Sequence, residues 1–425
     1  MKFKKVIAWI LITASLSLAL AACKKDPQDG TDIETKDAST TAENGKTPEG
    51  PSEPETPEPG KPEPEKPLPT TPTMSRKVVE KDSENVESVS DTFLTVGRTY
   101  IKNEALVCEF AGTGIRFTAD CEGSVFARIA TEKNVYFTVY VDGVRKDRIL
   151  VKRDSADSWS VIATGLEGGV HEIELVKQSQ FTQSSIRILE VGVIGTFGEA
   201  PEKRDVLIEF YGDSIINGSN IFGGGTSISS TDATSAFGWL AAKELNADCN
   251  LVGCGGLGLA YSNCPYTMED VWDANGTPVD SGKYDFARVP DIVVIELGVN
   301  DAVHGAGKDI EAYRAAVEAL IANIRAKYGS EVPIVWLYGY HDNENWKNTE
   351  DIIFRLRNSD KKLYACEMPR SNVGVSDGGD GNHPDVETTK SLTEKLMEAL
   401  KPLLADNGGI YGAGEGDDYA KDFFR

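Results

Sequence analysis

Over residues 75–200 hydrophobic and polar positions alternate in short β-prone runs, at 106–110, 115–119, 125–130, 135–141, 149–152, 159–163, 171–176 and 186–194. Alternation with a period of two marks half-buried strands. Turn residues separate the runs, and Asp142-Gly143 is a strong two-residue hairpin signal. About eight strands at this spacing predict an all-β sandwich or jelly roll. From Val206 the rhythm changes. An apolar run at 206–210 ends in Tyr211-Gly212-Asp213-Ser214. The stretches 249–252, 292–297 and 332–337 read as buried strands, and 235–245 as a helix. Asp309 caps a helix in which Ile310, Tyr313, Val317, Leu320, Ile321 and Ile324 recur at three- and four-residue spacing. Leu392, Leu396 and Leu400 give a closing helix one apolar stripe. Strands alternating with helices predict an α/β domain over 201–406, a three-layer α/β/α arrangement around a parallel sheet.

The ends follow different patterns. Lys2, Lys4 and Lys5 precede an apolar run from Val6 to Leu20, and Leu20-Ala21-Ala22-Cys23 follows. The apolar run is shorter than the ~20 residues a membrane-spanning helix needs. Residues 1–22 therefore read as a lipoprotein signal peptide, with Cys23 the lipidated residue after cleavage. Residues 23–74 are rich in Pro, Glu, Thr, Lys and Gly, lack the apolar residues of a core, and predict a disordered, solvated tether. The resulting expectation is a cell-envelope protein, lipid-anchored after secretion, facing the periplasm or the cell surface. Residues 407–425 are Gly- and Asp-rich and predict a peripheral tail.

Composition narrows the chemistry. A formal net charge of −23 and a pI near 4.7 argue against nucleic acid, whose phosphates require a basic surface. Seven cysteines include no CxxC pair and no His-x-x-x-His set accompanies them, so a structural zinc site is not expected, and the serine chemistry read below calls for neither metal nor cofactor. Cys108 with Cys121, or two of Cys249, Cys254 and Cys264, are candidates for pairing; reduced buried cysteine is the alternative. Of the four histidines, His171 shares a strand face with Ile173 and Leu175 and reads as structural. His304 and His341 follow strands and read as loop residues near the same edge.

Four stretches of the α/β region converge in chemistry. Ser214 follows the first strand, Gly253-Cys-Gly-Gly-Leu-Gly258 the next, and Gly298-Val-Asn-Asp301 the strand at 292–297; Asp380-Gly-Asn-His-Pro384 precedes the last helix. Parallel strands emerge at one sheet edge, so residues distant in sequence meet there. A serine hydroxyl needs a base to remove its proton, and His383 is the candidate. Asp380 is placed to orient that imidazole. Backbone N–H groups of Ser214 and Gly256 and the Asn300 amide suit an oxyanion hole, with Gly255 or Gly258 the alternative glycine donors. Asp213 and Asp301 read as turn-stabilising residues.

The ordered set of a Gly-Asp-Ser serine, a glycine loop, a GxND asparagine and a DxxH histidine resembles the SGNH, or GDSL, hydrolase superfamily over about 206–404. The β-sandwich at 75–200 just ahead of it is similar to carbohydrate esterase family 2. That resemblance implies a serine esterase removing O-acetyl groups from xylan- or glucomannan-type carbohydrate. Ser214 would be nucleophile, His383 base, and Gly256 and Asn300 oxyanion donors; some members orient the histidine with backbone carbonyls rather than an aspartate. The loop aromatics Trp272, Trp346, Tyr266 and Tyr340 would then either stack on sugar faces or pack internally. An SGNH lipase or thioesterase acting on longer acyl esters, and a non-catalytic glycan-binding surface lipoprotein, are the competing readings.

Overall fold

The computed structural model describes residues 74–79, 88–305, 309–340, 345–369 and 383–406. The expected signal at 1–22, the tether through residue 73, Cys23, Asp380, His341, the side chain of Trp346 and the tail at 407–425 lie outside the described residues. Among the described residues no helix is long and apolar enough to cross a membrane.

The first region is antiparallel throughout. Its strands are Met74–Val78 (β1), Ser88–Ser90 (β2), Phe93–Val96 (β3), Tyr100–Lys102 (β4), Ala105–Cys108 (β5), Gly114–Thr131 (β6), Val135–Val141 (β7), Val144–Arg145 (β8), Ile149–Val151 (β9), Ser160–Lys177 (β10) and Ile186–Phe197 (β11). They form one connected sheet with the main path β4-β5-β11-β6-β10-β7-β8. Inward residues such as Phe117, Ile129, Phe137, Ile173 and Val191 make its core. The sequence predicts separate strands at 115–119 and 125–130, and at 159–163 and 171–176. The structure instead joins each pair into one 18-residue strand. Register shifts between Val161 and Gly169 absorb the glycines that read as turns. Asp142-Gly143 turns as expected between β7 and β8, both residues having positive φ, as a type I′ hairpin requires. His171 lies 2.7 Å from Asp142 and 2.8 Å from the Glu167 carbonyl; that carbonyl and then the carboxylate raise its pKa.

The second region contains the strands Val206–Gly212 (β12), Ala247–Gly253 (β13), Ile292–Glu296 (β14), Ile334–Tyr338 (β15) and Leu363–Glu367 (β16). All pairings are parallel and the order is β13-β12-β14-β15-β16. This is the doubly wound order that reverses direction beside its first strand, where such sheets open a crevice. Its helices are Phe237–Glu244 (α1), Met268–Val271 (α2), Val299–His304 (α3), Ile310–Tyr328 (α4), Asn345–Leu356 (α5) and Val386–Asp406 (α6). One core joins the sheet to α1 and α6, the other to α2, α4 and α5, which gives three layers. Asp309 caps α4 by accepting the Glu311 N–H at 2.9 Å.

The two regions share a polar and aromatic interface. Arg98 of the β region is 1% exposed and reaches into the α/β region. Its guanidinium pairs with Glu209 of β12 at 2.9 Å and donates to Tyr211 Oη at 2.8 Å and the Trp272 carbonyl at 2.7 Å. Trp239 of α1 donates to Tyr140 Oη at 2.9 Å, and Arg145 pairs with Asp232 at 2.6 Å.

Candidate active site

Ser214 stands two residues past the end of β12, after Asp213, and the seven residues of that strand are all buried. Gly212 makes this exit possible, because a Cβ there would lie 2.5 Å from Ile216 Cγ2. Ser214 is half-buried, and its Oγ is 2.8 Å from His383 Nε2. His383 stands just ahead of α6, 169 residues away in sequence. Two loops thus converge on one edge of the sheet, where a serine hydroxyl faces an imidazole nitrogen at hydrogen-bonding distance.

The glycine loop leaves β13 beside them. Gly256 has φ +78°, a left-handed conformation that side chains rarely adopt. The Gly255 N–H is taken by Gln180 Oε1, and the Gly258 N–H by Ser262 Oγ at 2.8 Å. The two alternative glycine donors are therefore occupied. Hydrogen bonds engage neither the Gly256 N–H nor the Ser214 N–H among the described residues. Asp301 fastens the far side of the loop by accepting the N–H groups of Leu259, Ala260 and Tyr261 at 2.7–2.9 Å. Its pKa is still raised, since burial outweighs those three bonds.

Asn300 lies in the first turn of α3, and both its amide hydrogens are used: Nδ2 donates to Asp213 Oδ2 at 2.8 Å and to the Leu257 carbonyl at 3.0 Å. Flipping the amide would set its oxygen against two acceptors, so the orientation follows from the partners. In this resting state Asn300 ties the serine turn to the glycine loop. Asp213 also accepts the Ile215 N–H at 3.0 Å and is wholly buried. Burial raises its pKa to about 6. Glu296, at the end of β14, is buried beside it; burial and then the Asp213 charge push its pKa well above the usual range. The pair therefore holds a proton on Glu296 and the negative charge on Asp213 at neutral pH.

Tyr340 lies beside the Asp213–Glu296 pair, with its ring turned into the core. Trp272 packs on Phe286 with ring centroids 5.5 Å apart, and Tyr340 on Phe237 at 5.8 Å, both buried in the cores. Tyr266 is partly buried against Phe181. His304 ends α3, four residues after Asn300. Cys108 and Cys121 are apart: Cys108 is opposite Ile186 on β11, whereas Cys121 is opposite Gly195, nine residues further along. All six described cysteines are free thiols. Gln180 and Glu296 are absent from the sequence-based set. Glu296 leaves one trace, a charged residue in an otherwise apolar strand; Gln180 leaves none.

Comparison with known proteins agrees with this architecture. Residues 95–201 match the family described as Carbohydrate esterase 2 N-terminal. Residues 210–411 match the GDSL-like Lipase/Acylhydrolase family. No curated protein matches the chain in sequence. Among solved structures, a family two carbohydrate esterase from Clostridium thermocellum, in complex with cellohexaose, is 22% identical with a TM-score of 0.68. The match covers 74% of this chain and 99% of that one. An acetyl xylan esterase from the rumen bacterium Butyrivibrio proteoclasticus is 18% identical with a TM-score of 0.68, covering 78% and 99%. A family two carbohydrate esterase from Cellvibrio japonicus is 18% identical with a TM-score of 0.67, covering 78% and 98%. At these identities the likeness speaks for the fold, and the two family matches account for each half of it. The chain is a two-domain esterase that joins a carbohydrate esterase 2 N-terminal domain to a GDSL-like hydrolase domain.

Proposed function

We propose that this esterase removes O-acetyl groups from polysaccharide or oligosaccharide, with Ser214 as nucleophile and His383 as base. The observation that carries the reading is the 2.8 Å approach of His383 Nε2 to Ser214 Oγ, beside two unengaged backbone N–H groups. In the first half-reaction Ser214 Oγ attacks the acetyl carbonyl carbon and its proton passes to His383 Nε2. The negative charge that develops on the carbonyl oxygen is met by the N–H groups of Ser214 and Gly256. Asn300 contributes as the third donor if its amide turns one hydrogen from Leu257 toward the oxyanion. Collapse returns the proton to the departing sugar oxygen and leaves an acetyl-serine. Water, deprotonated by the same imidazole, then releases acetate. Each proton and bond is accounted for by the chain's own groups.

Carbohydrate as the substrate is supported by the solved relatives, one an acetyl xylan esterase and another holding cellohexaose. The role of Asp380 as orienting group for His383 belongs to the same proposal. So does lipidation of Cys23, which would fasten the enzyme to the cell envelope; mass analysis of the purified N-terminal peptide tests it. The activity is tested by acetate release from acetylated glucomannan, xylan and peptidoglycan fragments, with acetyl and octanoyl nitrophenyl esters as chain-length controls. Ser214→Ala is expected to lower turnover by at least about 10³-fold with an unchanged circular dichroism spectrum. A fully active Ser214→Ala protein sinks the assignment, and preference for the octanoyl ester sinks the acetyl specificity.

A further inference from the structure

Two cysteines flank the glycine loop. Cys254 is the first residue after β13, wholly buried, and Cys264 lies ten residues on, partly exposed. Their sulfurs are 3.8 Å apart, with the Cys254 S–H directed at Cys264 Sγ. Between them lies every residue of the loop that carries Gly256. The Asn263 N–H donates to the Gly256 carbonyl at 2.7 Å, and a Cβ at Gly256 would lie 3.2–3.4 Å from atoms of Asn263 and the Cys264 nitrogen. The Cys264 backbone thus packs directly against the glycine.

We propose that Cys254 and Cys264 are a modification site: they are oxidised to a disulfide that closes the 254–264 loop around Gly256. A disulfide bond of about 2 Å asks only for a small further approach of the two sulfurs. No other described thiol competes for either partner. Cys249 lies within β13, five residues ahead of Cys254, yet it belongs to the core on the opposite face of the sheet. Cys366 has Met368 Sδ at 3.9 Å as its sulfur neighbour.

The asymmetry of the pair sets the order of events. The hydrogen bond from Cys254 holds the Cys264 thiol down to about 7, against burial, which makes Cys264 the readier nucleophile of the two. Cys254 is pushed up, by the same hydrogen bond and by burial. Cys264 is also the more exposed of the two. A low-molecular-weight disulfide such as glutathione disulfide supplies the oxidant. Cys264 S⁻ attacks one of its sulfurs and expels one glutathione thiolate, leaving a mixed disulfide. Cys254 then loses its proton to solvent and attacks Cys264 Sγ, expelling the second glutathione. Two protein thiols are oxidised to one disulfide and one glutathione disulfide is reduced to two thiols.

The experiment takes the full chain, fully reduced and then exposed to glutathione disulfide, trapped by alkylation in denaturant and mapped by peptide mass. The expected product is one cross-link, between the peptides carrying residues 254 and 264, with loss of two hydrogens from the intact mass. Oxidation is expected to raise Tm by roughly 5 °C, since the cross-link restricts the unfolded chain. Amide exchange over residues 255–263 is expected to slow at the same time. In Cys254→Ser, glutathione is expected to stay on Cys264 as a stable adduct. Recovery of both residues alkylated after oxidation, or a cross-link mapped to any other pair, overturns the proposal. Absence of the Cys264 adduct in Cys254→Ser overturns the order of attack. That the cross-link would hold an oxyanion donor in place rests on the proposed role of Gly256. The peptide map reads the cross-link whichever way Ser214→Ala behaves, so the two assignments fail separately.

Discussion

At Asp213 one side chain does several tasks immediately before the proposed nucleophile. Its carboxylate accepts the Ile215 N–H and the Asn300 amide while Glu296 lies beside it, and none of the carboxylate reaches solvent. Burying a charge without a countercharge is costly, and the cost appears as a pKa raised from 3.8 to about 6. The folded chain therefore takes up a proton at Asp213 in a pH range where the unfolded chain does not. Stability from this group is complete below about pH 4 and is lost as pH rises through 6, where the folded state must hold the anion. Asp213→Asn removes that dependence while keeping an acceptor for the Ile215 N–H. Measured by urea unfolding, the variant is expected to gain on the wild type as pH rises from 4.5 to 7.5, by at most about 3 kcal/mol. An identical difference at both pH values would show that Asp213 titrates normally in the folded protein.

At the scale of elements, the β domain supplies part of the active-site framework. The segment after β10 carries Gln180, whose Oε1 accepts the Gly255 N–H, and Phe181, which packs edge-to-face on Phe110 and against Tyr266. With its neighbour pinned, the Gly256 N–H is left without an acceptor among the described residues, as the proposed oxyanion role requires. Gln180 is thus a positioning residue. Gln180→Ala is expected to lower kcat on nitrophenyl acetate roughly tenfold, equivalent to about 1.4 kcal/mol, with KM nearly constant. Gln180→Glu, which keeps an acceptor, is expected to restore most of it. Equal losses in both variants would assign Gln180 a packing role alone. This contact has no sequence signal, because a glutamine in a loop of one domain reveals nothing about a backbone N–H of the other. The catalytic strands were legible for the opposite reason: parallel strands buried on both faces are unbroken apolar runs, as at 292–297. α5 and β16 leave weaker traces in the sequence. The helix opens on Asn345-Trp-Lys-Asn-Thr-Glu350 with no apolar stripe until Ile352 and Ile353, and β16, Leu-Tyr-Ala-Cys-Glu, has no β-branched residue, unlike β14 and β15 of the same length. The doubled strands β6 and β10 were misread because their glycines serve as bulges inside a strand rather than as turns between strands.

At the scale of the whole molecule, one buried ion pair joins the domain that frames the site to the strand that carries the serine. Arg98 and Glu209 both have fully buried side chains. Their charges are shared out: Glu209 also accepts from Tyr211 Oη at 2.6 Å, Tyr328 Oη at 2.8 Å and Asn250 Nδ2 at 3.1 Å, and the guanidinium lies 4.1 Å from the Tyr284 ring centroid. Such a network does not stabilise the fold beyond what an apolar core of the same shape would, because desolvating both ions offsets most of their attraction. Its effect is on registration, since Arg98 fits only when the loop after β3 meets β12 at one position. Removing one partner leaves the other charge buried and alone. Arg98→Met is therefore expected to cost about 3–5 kcal/mol in urea unfolding, and Arg98→Met with Glu209→Leu to recover much of that loss. If registration is the purpose, the double variant is expected to regain stability without regaining kcat, because β12 ends two residues before Ser214 and Gln180 reaches the glycine loop from the domain that Arg98 fixes. Full recovery of both quantities would reduce the pair to a polar plug in an interface that aligns without it.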